Sequence, residues 1–216
     1  MTAMQIFLDA SAERHGHLCP RQVIGVRMGM LAAKLLDIRM PQKGKRLLTI
    51  VETDGCFADG IEVSTGCSIG HRTLRIRDFG KVAATFADTK SGKAFRAAPH
   101  RLARQTAIGR ANGDDKHWEA MLQGYQAMSD EELLTVQSVQ LTADIKAIVS
   151  HAGIRTLCEI CQEEIINERE VTRNGQQICL YCAGEQYYDV ERVSSADVAR
   201  SKSIGHMFGS NSKQKP

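Results

Sequence analysis

HGHLCPRQVIGVRMGMLAAKLL, residues 15–36, decides how the rest of the chain is read. Its second part predicts a helix. Pro20 suits a first helical turn, where a missing N–H is no loss. From Val23 to Leu36 apolar residues cover most of the circumference, so the helix is expected to be buried. Gly25 and Gly29 lie four apart, which leaves one smooth face open to a close neighbour. Upstream, MQIFLDASAERHG places Ile6, Phe7 and Ala10 on one helical face, and that helix should end near Gly16. HGHLC therefore falls at a junction between two helices. His15 and His17 are two residues apart, as are His17 and Cys19. In an extended turn such residues point the same way, whereas in a helix they diverge. Two imidazoles and a thiol at the start of a buried helix suit a metal ion of borderline softness.

Downstream, KRLLTIVET reads as a strand ending at the turn DGC, and CFADGIEVSTGC contains a short helix. HRTLRIRDFGKVAATFAD gives two strands around Phe79-Gly80, and KAFRAAPH is an edge strand or loop. Residues 101–128 look helical, with a break at NGDD, 112–115. Ser129 and Glu132 form a capping box that opens a helix at SDEELL, and VQSVQLT is a last strand by alternation. Strands and helices mix without a regular β-α-β rhythm. The expected class is α+β, a mixed sheet with packed helices, plus a small C-terminal zinc-finger domain.

The chain has 216 residues, 43% hydrophobic and 25% charged, enough for one ordinary domain and something smaller. A net charge of +3 is too small to argue for nucleic acid. No segment resembles a signal peptide, and none approaches the ~20 apolar residues of a membrane span. A cytoplasmic location is expected, with the seven cysteines reduced and available for metal or chemistry. Cys19, Cys56 and Cys67 lie in the first third; Cys158, Cys161, Cys179 and Cys182 form two tight pairs near the end.

The late pairs read C-x2-C, seventeen residues, C-x2-C. Two such knuckles make a tetrahedral four-sulfur cage, which zinc prefers. Asn174-Gly175 predicts a hairpin that carries the second pair toward the first. CAGEQYY, after it, is expected to begin a short helix. Matched pairs disfavour a thioredoxin-like redox site. So short a segment cannot bury enough surface alone, so metal binding and folding should be coupled. Acidic residues around the pairs outnumber arginines, which favours a protein contact or dimer-stabilising role over nucleic acid. The segment resembles a treble-clef or zinc-ribbon-like finger of the DksA/TraR group. The expected boundaries are a core over 1–145, a linker over 146–156, a finger over 157–190 and a flexible tail over 191–216.

HGHLCP, Cys56, Asp59-Gly60-Ile61, Thr65-Gly66-Cys67 and Asp78-Phe79-Gly80-Lys81-Val82-Ala83 together resemble the FmdE family, named for a component of formylmethanofuran dehydrogenase, over about residues 5–145. Arg21, Gly55 and Ile69-Gly70-His71 depart from the family pattern. The resemblance implies a metal-binding accessory protein, a homodimer, that serves a molybdenum- or other metal-dependent oxidoreductase. A second transition metal of uncertain identity, zinc among the candidates, would sit on His17, Cys19 and Cys56, with His15 or Cys67 as further ligands. Fewer than four protein ligands would leave a position open. Two alternatives stand beside this. One is a small enzyme or sulfur carrier with Cys19 or Cys56 as nucleophile and His17 as base, Lys81 being a further candidate for an anionic ligand. The other is a metal-sensing regulator that acts through the finger. No Gly-rich dinucleotide or phosphate loop is present.

Overall fold

The structure is a computed structural model in which residues 1–111, 116–150 and 153–189 are described, without the side chains of 146, 147 and 150. The expected break at 112–115 and the expected flexible tail lie outside the described residues. The chain divides into two compact units, Met1–His151 and Ala152–Pro216.

The first unit opens with helix α1, Ala3–His15. Thr2 Oγ1 accepts from Gln5 N at one end, and Gly16 stops the helix at the other with φ 90°. Helix α2, Pro20–Leu36, follows with Cys19 as its N-cap residue. The Gln22 side chain reaches back to accept from Cys19 N at 3.0 Å. Most of α2 is buried, as its all-round apolarity requires. Strand β1, Leu47–Val51, leads into helix α3, Cys56–Thr65.

The remaining strands of this unit are β2, Leu74–Ile76; β3, Ala84–Asp88; β4, Ala94–Pro99; and β5, Leu134–Ser138. They form one mixed sheet in the order β2-β1-β3-β4-β5, parallel only between β1 and β2. Between β4 and β5 come α4, Ala103–Gly109, α5, His117–Ala127, and a single turn, α6, Asp130–Leu133.

The two-residue alternation of β1 places its side chains in two layers. Leu47 and Val51 join the main core with Val23, Val26, Met28, Phe57, Ile61 and Phe86. Leu48 and Ile50 pack on the other face with Val149 from helix α7, Ile145–Ser150. Phe86 and Phe95 are cross-strand partners whose rings stack at 5.3 Å.

Two expectations change here. β4 is interior rather than an edge, because β5 pairs along it from Pro99↔Leu134 to Phe95↔Ser138. The capping box at Ser129 is formed, yet its helix lasts four residues. Burial of Leu133 and Leu134 turns the chain into β5 at once.

The glycine face of α2 is filled by α3 of the same chain. A Cβ on Gly25 would lie 2.4 Å from Phe57 O, and one on Gly60 2.3 Å from Gln22 O. That face therefore serves packing inside the chain and gives no support to a dimer.

The second unit holds two hairpins: β6, Arg155–Leu157, with β7, Glu164–Ile166, and β8, Val171–Arg173, with β9, Gln176–Ile178. Asn174 and Gly175 take φ 51° and 81°, the paired positive values of a tight hairpin turn. Beyond Cys179 the expected helix is a single turn among the described residues. Glu185 N donates to Leu180 O and Gly184 N to Tyr181 O, a Schellman stop with Gly184 at φ 101°.

Candidate functional site

Each knuckle of the second unit is placed by a hairpin. Cys158 and Cys161 occupy the turn between β6 and β7, while Cys179 and Cys182 follow β9. All four sulfurs lie within 4.8 Å of one another, and Cys161 Sγ is 3.9 Å from Cys179 Sγ. Cys179 N donates to Cys158 Sγ at 3.3 Å, and Cys182 N to Cys179 Sγ at 3.4 Å. Burial opposes ionisation of Cys158. The backbone N–H groups of Cys161, Cys179 and Ile160 outweigh it and bring this thiol down to about 6. Burial and the neighbouring sulfurs push Cys182 up to about 12. Four convergent sulfurs, one of them readily ionised, fit a single thiophilic ion such as zinc. Among the described residues, only Ile165 and Ile178 accompany Cys158 in the buried centre of this unit. Such a core is too small to hold two hairpins without the ion.

In the first unit, Cys19 caps α2 and Cys56 is the first residue of α3. The close crossing of these helices sets the two thiols at one cavity, near enough for Cys19 to act on Cys56. Burial, the Cys19 contact and the Cys19 charge push Cys56 up to about 11, against the opposing charge of Arg21. The Cys56 thiol therefore resists losing its proton unless a cation replaces it. Cys19, Cys56 and the exposed His17 line one cavity of about 650 Å³.

His15 stands next to this group without lining the cavity. Its ring centroid is 4.9 Å from that of His17, and Asp59 Oδ2 accepts from its Nδ1 at 2.8 Å. A carboxylate on Nδ1 leaves Nε2 as the free donor atom for a ligand. Arg14 shares Asp59 at 3.1 Å and reaches Glu62 at 2.5 Å, which clips the end of α1 onto α3. Burial pushes the Glu62 carboxyl up despite Arg14.

Cys67 and Lys81 are placed elsewhere. Cys67 is buried in the core, where Thr49 Oγ1 donates to its sulfur at 3.4 Å and Leu47 O lies 3.5 Å away. Burial pushes its thiol up. Lys81 is exposed before β3, and its backbone N donates to Glu52 O. Among the described residues, the four C-terminal cysteines are the one group of three or more His, Cys, Asp or Glu donors drawn so closely together. The core donors His17, Cys19 and Cys56 share a cavity without closing into such a cluster.

Much of the cavity comes from residues that sequence reading passed over. His100, Arg101, Arg104, Trp118, Met121 and Tyr125 line it, with Arg21, Ile24, Val82 and Pro99. Leu102 N donates to His100 Nδ1 at 3.3 Å. Arg27 brings this wall to α2: its guanidinium donates to Tyr125 O and Asp130 Oδ1, both at 2.8 Å. The available signal was the basic run HRLAR directly after the strand that ends at Pro99.

Together these features define an α+β protein with a thiol-lined cavity in one unit and a four-thiol cage, suited to a metal, in the other. The model of the family described as FmdE, molybdenum formylmethanofuran dehydrogenase operon, matches residues 14–135, and the chain belongs to that family. An Archaeoglobus fulgidus protein described as a probable S-adenosyl-L-methionine-binding protein is 29% identical over 203 residues. That match takes in 83% of this chain, which spans about half, 53%, of the relative's length. A crystal structure of a tungsten formylmethanofuran dehydrogenase FmdE-like protein from Syntrophus aciditrophicus shares the fold, with a TM-score of 0.56 at 20% identity. It covers 86% of this chain and 95% of its own. The family match ends before the four-cysteine unit begins. No helix among the described residues is long and apolar enough to cross a membrane.

Proposed function

We propose that this chain is a metal-binding accessory protein. It carries zinc in the C-terminal cage and a second transition metal on Cys19 and Cys56, and it serves a molybdenum- or other metal-dependent oxidoreductase. The observation that carries the core assignment is that Cys19, Cys56 and His17 line one cavity, where two crossing helices begin. Two thiols and an imidazole leave at least one coordination position for cargo or a partner's ligand. His15, oriented by Asp59, is the next donor that a small movement would add. Seven free cysteines support a reducing, cytoplasmic setting. A homodimer remains the proposed assembly on the family resemblance alone.

A sulfur carrier is the rival reading, favoured by the same two thiols at one cavity, since one thiolate near a second thiol can resolve a persulfide. S-adenosylmethionine binding is not assigned to this chain, because nearly half of the relative so described lies outside the match.

Elemental analysis of full-length protein, purified reduced and without oxygen, tests the metal reading. The parent should hold two ions per chain. Cys19→Ser/Cys56→Ser should hold one, and chelation of that last ion should unfold residues 153–189 in hydrogen exchange. Equal metal content in parent and double variant would remove the core site.

A further inference from the structure

We propose that the Arg21, Arg101 and Arg104 lining of the cavity binds an organic anion: a carboxylate or phosphate monoester with an apolar body. The charge pattern is the first ground. The cavity lining holds these three arginines and two histidines, and no aspartate or glutamate. The second ground is what the arginines do not do. Arg14, Arg27, Arg46, Arg96, Arg110 and Arg155 each pair with a carboxylate of this chain. Arg21, Arg101 and Arg104 make no ion pair or hydrogen bond among the described residues. The charge of Arg104 nonetheless reaches the cavity, since it acts on the Tyr125 hydroxyl. Three guanidiniums at one cavity, without a carboxylate partner among the described residues, are the arrangement that recognises a planar carboxylate or a phosphate by paired N–H donors.

Size decides what kind of anion. A volume of about 650 Å³ corresponds to roughly twenty waters and falls in the range of pockets that hold drug-sized molecules. A bare inorganic oxyanion would leave most of it empty. Ile24, Met121, Trp118 and Tyr125 supply the surface on which an apolar body packs. The assignment rests on the arginines and stands whether or not the thiols hold a metal.

Trp118 is the chain's single tryptophan and lines this cavity, so its fluorescence reports on the site. Full-length protein is titrated at low ionic strength with octanoate, octyl phosphate and octanol. At least one anion should shift the Trp118 emission saturably, with a Kd at least tenfold below that of octanol. The tighter of the two identifies the head group as carboxylate or phosphate. Arg101→Gln/Arg104→Gln should bring the anion to within threefold of octanol and leave octanol binding unchanged. All three arginines are exposed and have no side-chain partner among the described residues, so the fold should survive, as an unchanged urea midpoint would show. Arg21→Gln, made separately, should weaken the anion several-fold. The preference should persist in Cys19→Ser/Cys56→Ser. Three results overturn the proposal: octanol binding as tightly as both anions, a preference that survives Arg101→Gln/Arg104→Gln, or its loss in the cysteine variant, which would put the anion on a thiol-held metal.

Discussion

Gly60→Ala tests whether the crossing of α2 and α3 holds the Cys19–Cys56 pair together. Gly60 lies one turn into α3 from Cys56. A Cβ there would sit 2.3 Å from Gln22 O and 3.0 Å from Val26 N, where ordinary contact begins at 3.4 Å. Both neighbours are backbone atoms of α2, so no side-chain rotation relieves the overlap. Overpacking of a tight core costs about 1–3 kcal/mol, and rigid backbone on both sides puts this case at the upper end. Alanine's better helix propensity offsets about 1 kcal/mol. The net expectation is a loss of about 2 kcal/mol, read as a lower urea midpoint with unchanged slope and a Tm roughly 4–8 °C lower. Gly109→Ala is the control, since a Cβ at the end of α4 meets nothing within 4 Å. A second readout follows from the site: helices pushed apart separate the sulfurs that begin them. The yield of a Cys19–Cys56 disulfide under mild oxidation, measured by peptide mapping, should fall several-fold. A variant as stable as the parent, with the same disulfide yield, would show that the crossing does not set the thiol pair.

Arg27→Met should cost about 2 kcal/mol in urea unfolding, because it takes the donor from the Tyr125 carbonyl and leaves Asp130 with Lys34 alone; a loss below about 0.5 kcal/mol would refute the role given to Arg27. Glu52 is held below the ordinary glutamate range by its bidentate hydrogen bonds to Arg96, against the cost of burial. Its folded-state pKa is depressed, so its contribution is fully present above the ordinary value of 4.5 and lost as pH falls below it. Glu52→Gln should therefore flatten that acid limb in unfolding measured from pH 6 to 3, and an unchanged limb would assign it to other carboxylates. Cys67→Ala should leave metal content per chain unchanged and cost about 1 kcal/mol as a small core truncation; loss of the core ion would place Cys67 in the centre.

The sequence made some of this legible and hid the rest for physical reasons. The ends of α1 and the start of α2 could be read because Gly16 and Pro20 act through their own backbone chemistry. The hairpin at Asn174-Gly175 is local in the same way, and so is the four-sulfur cage, whose members are set by two tight spacings and one turn. Cys56 was assigned beside Cys19 through family resemblance, and no local pattern contains that proximity. It depends on Gly25 and Gly60 meeting across two helices 35 positions apart. Cys67 stood as a further candidate behind Cys56, and both follow a glycine. The difference is that Cys56 opens α3 at the cavity, whereas Cys67 follows that helix into the core against Thr49 and Leu47, a placement only the packing of the helix on the sheet decides. The arginine wall was invisible for a further reason: Arg101 and Arg104 read as ordinary solvated helix charges until α5 and the end of β4 enclose the space beside them.

The two sulfur centres thus differ in what assembles them. In the C-terminal unit, spacing brings the ligands near one another, but the apolar centre is too small to keep them there, so the ion supplies the stability. In the first unit the order is reversed. A full core and a glycine-mediated helix crossing place Cys19 and Cys56 together before any ion arrives, and the Cys56 thiol then resists giving up its proton. A site built in that way can release an ion without unfolding, because protons return to the sulfurs while the helices stay packed. That would separate a reversible carrying site from a structural clip, and it is the physical reason for proposing the exchangeable metal at the cavity and the permanent one in the cage.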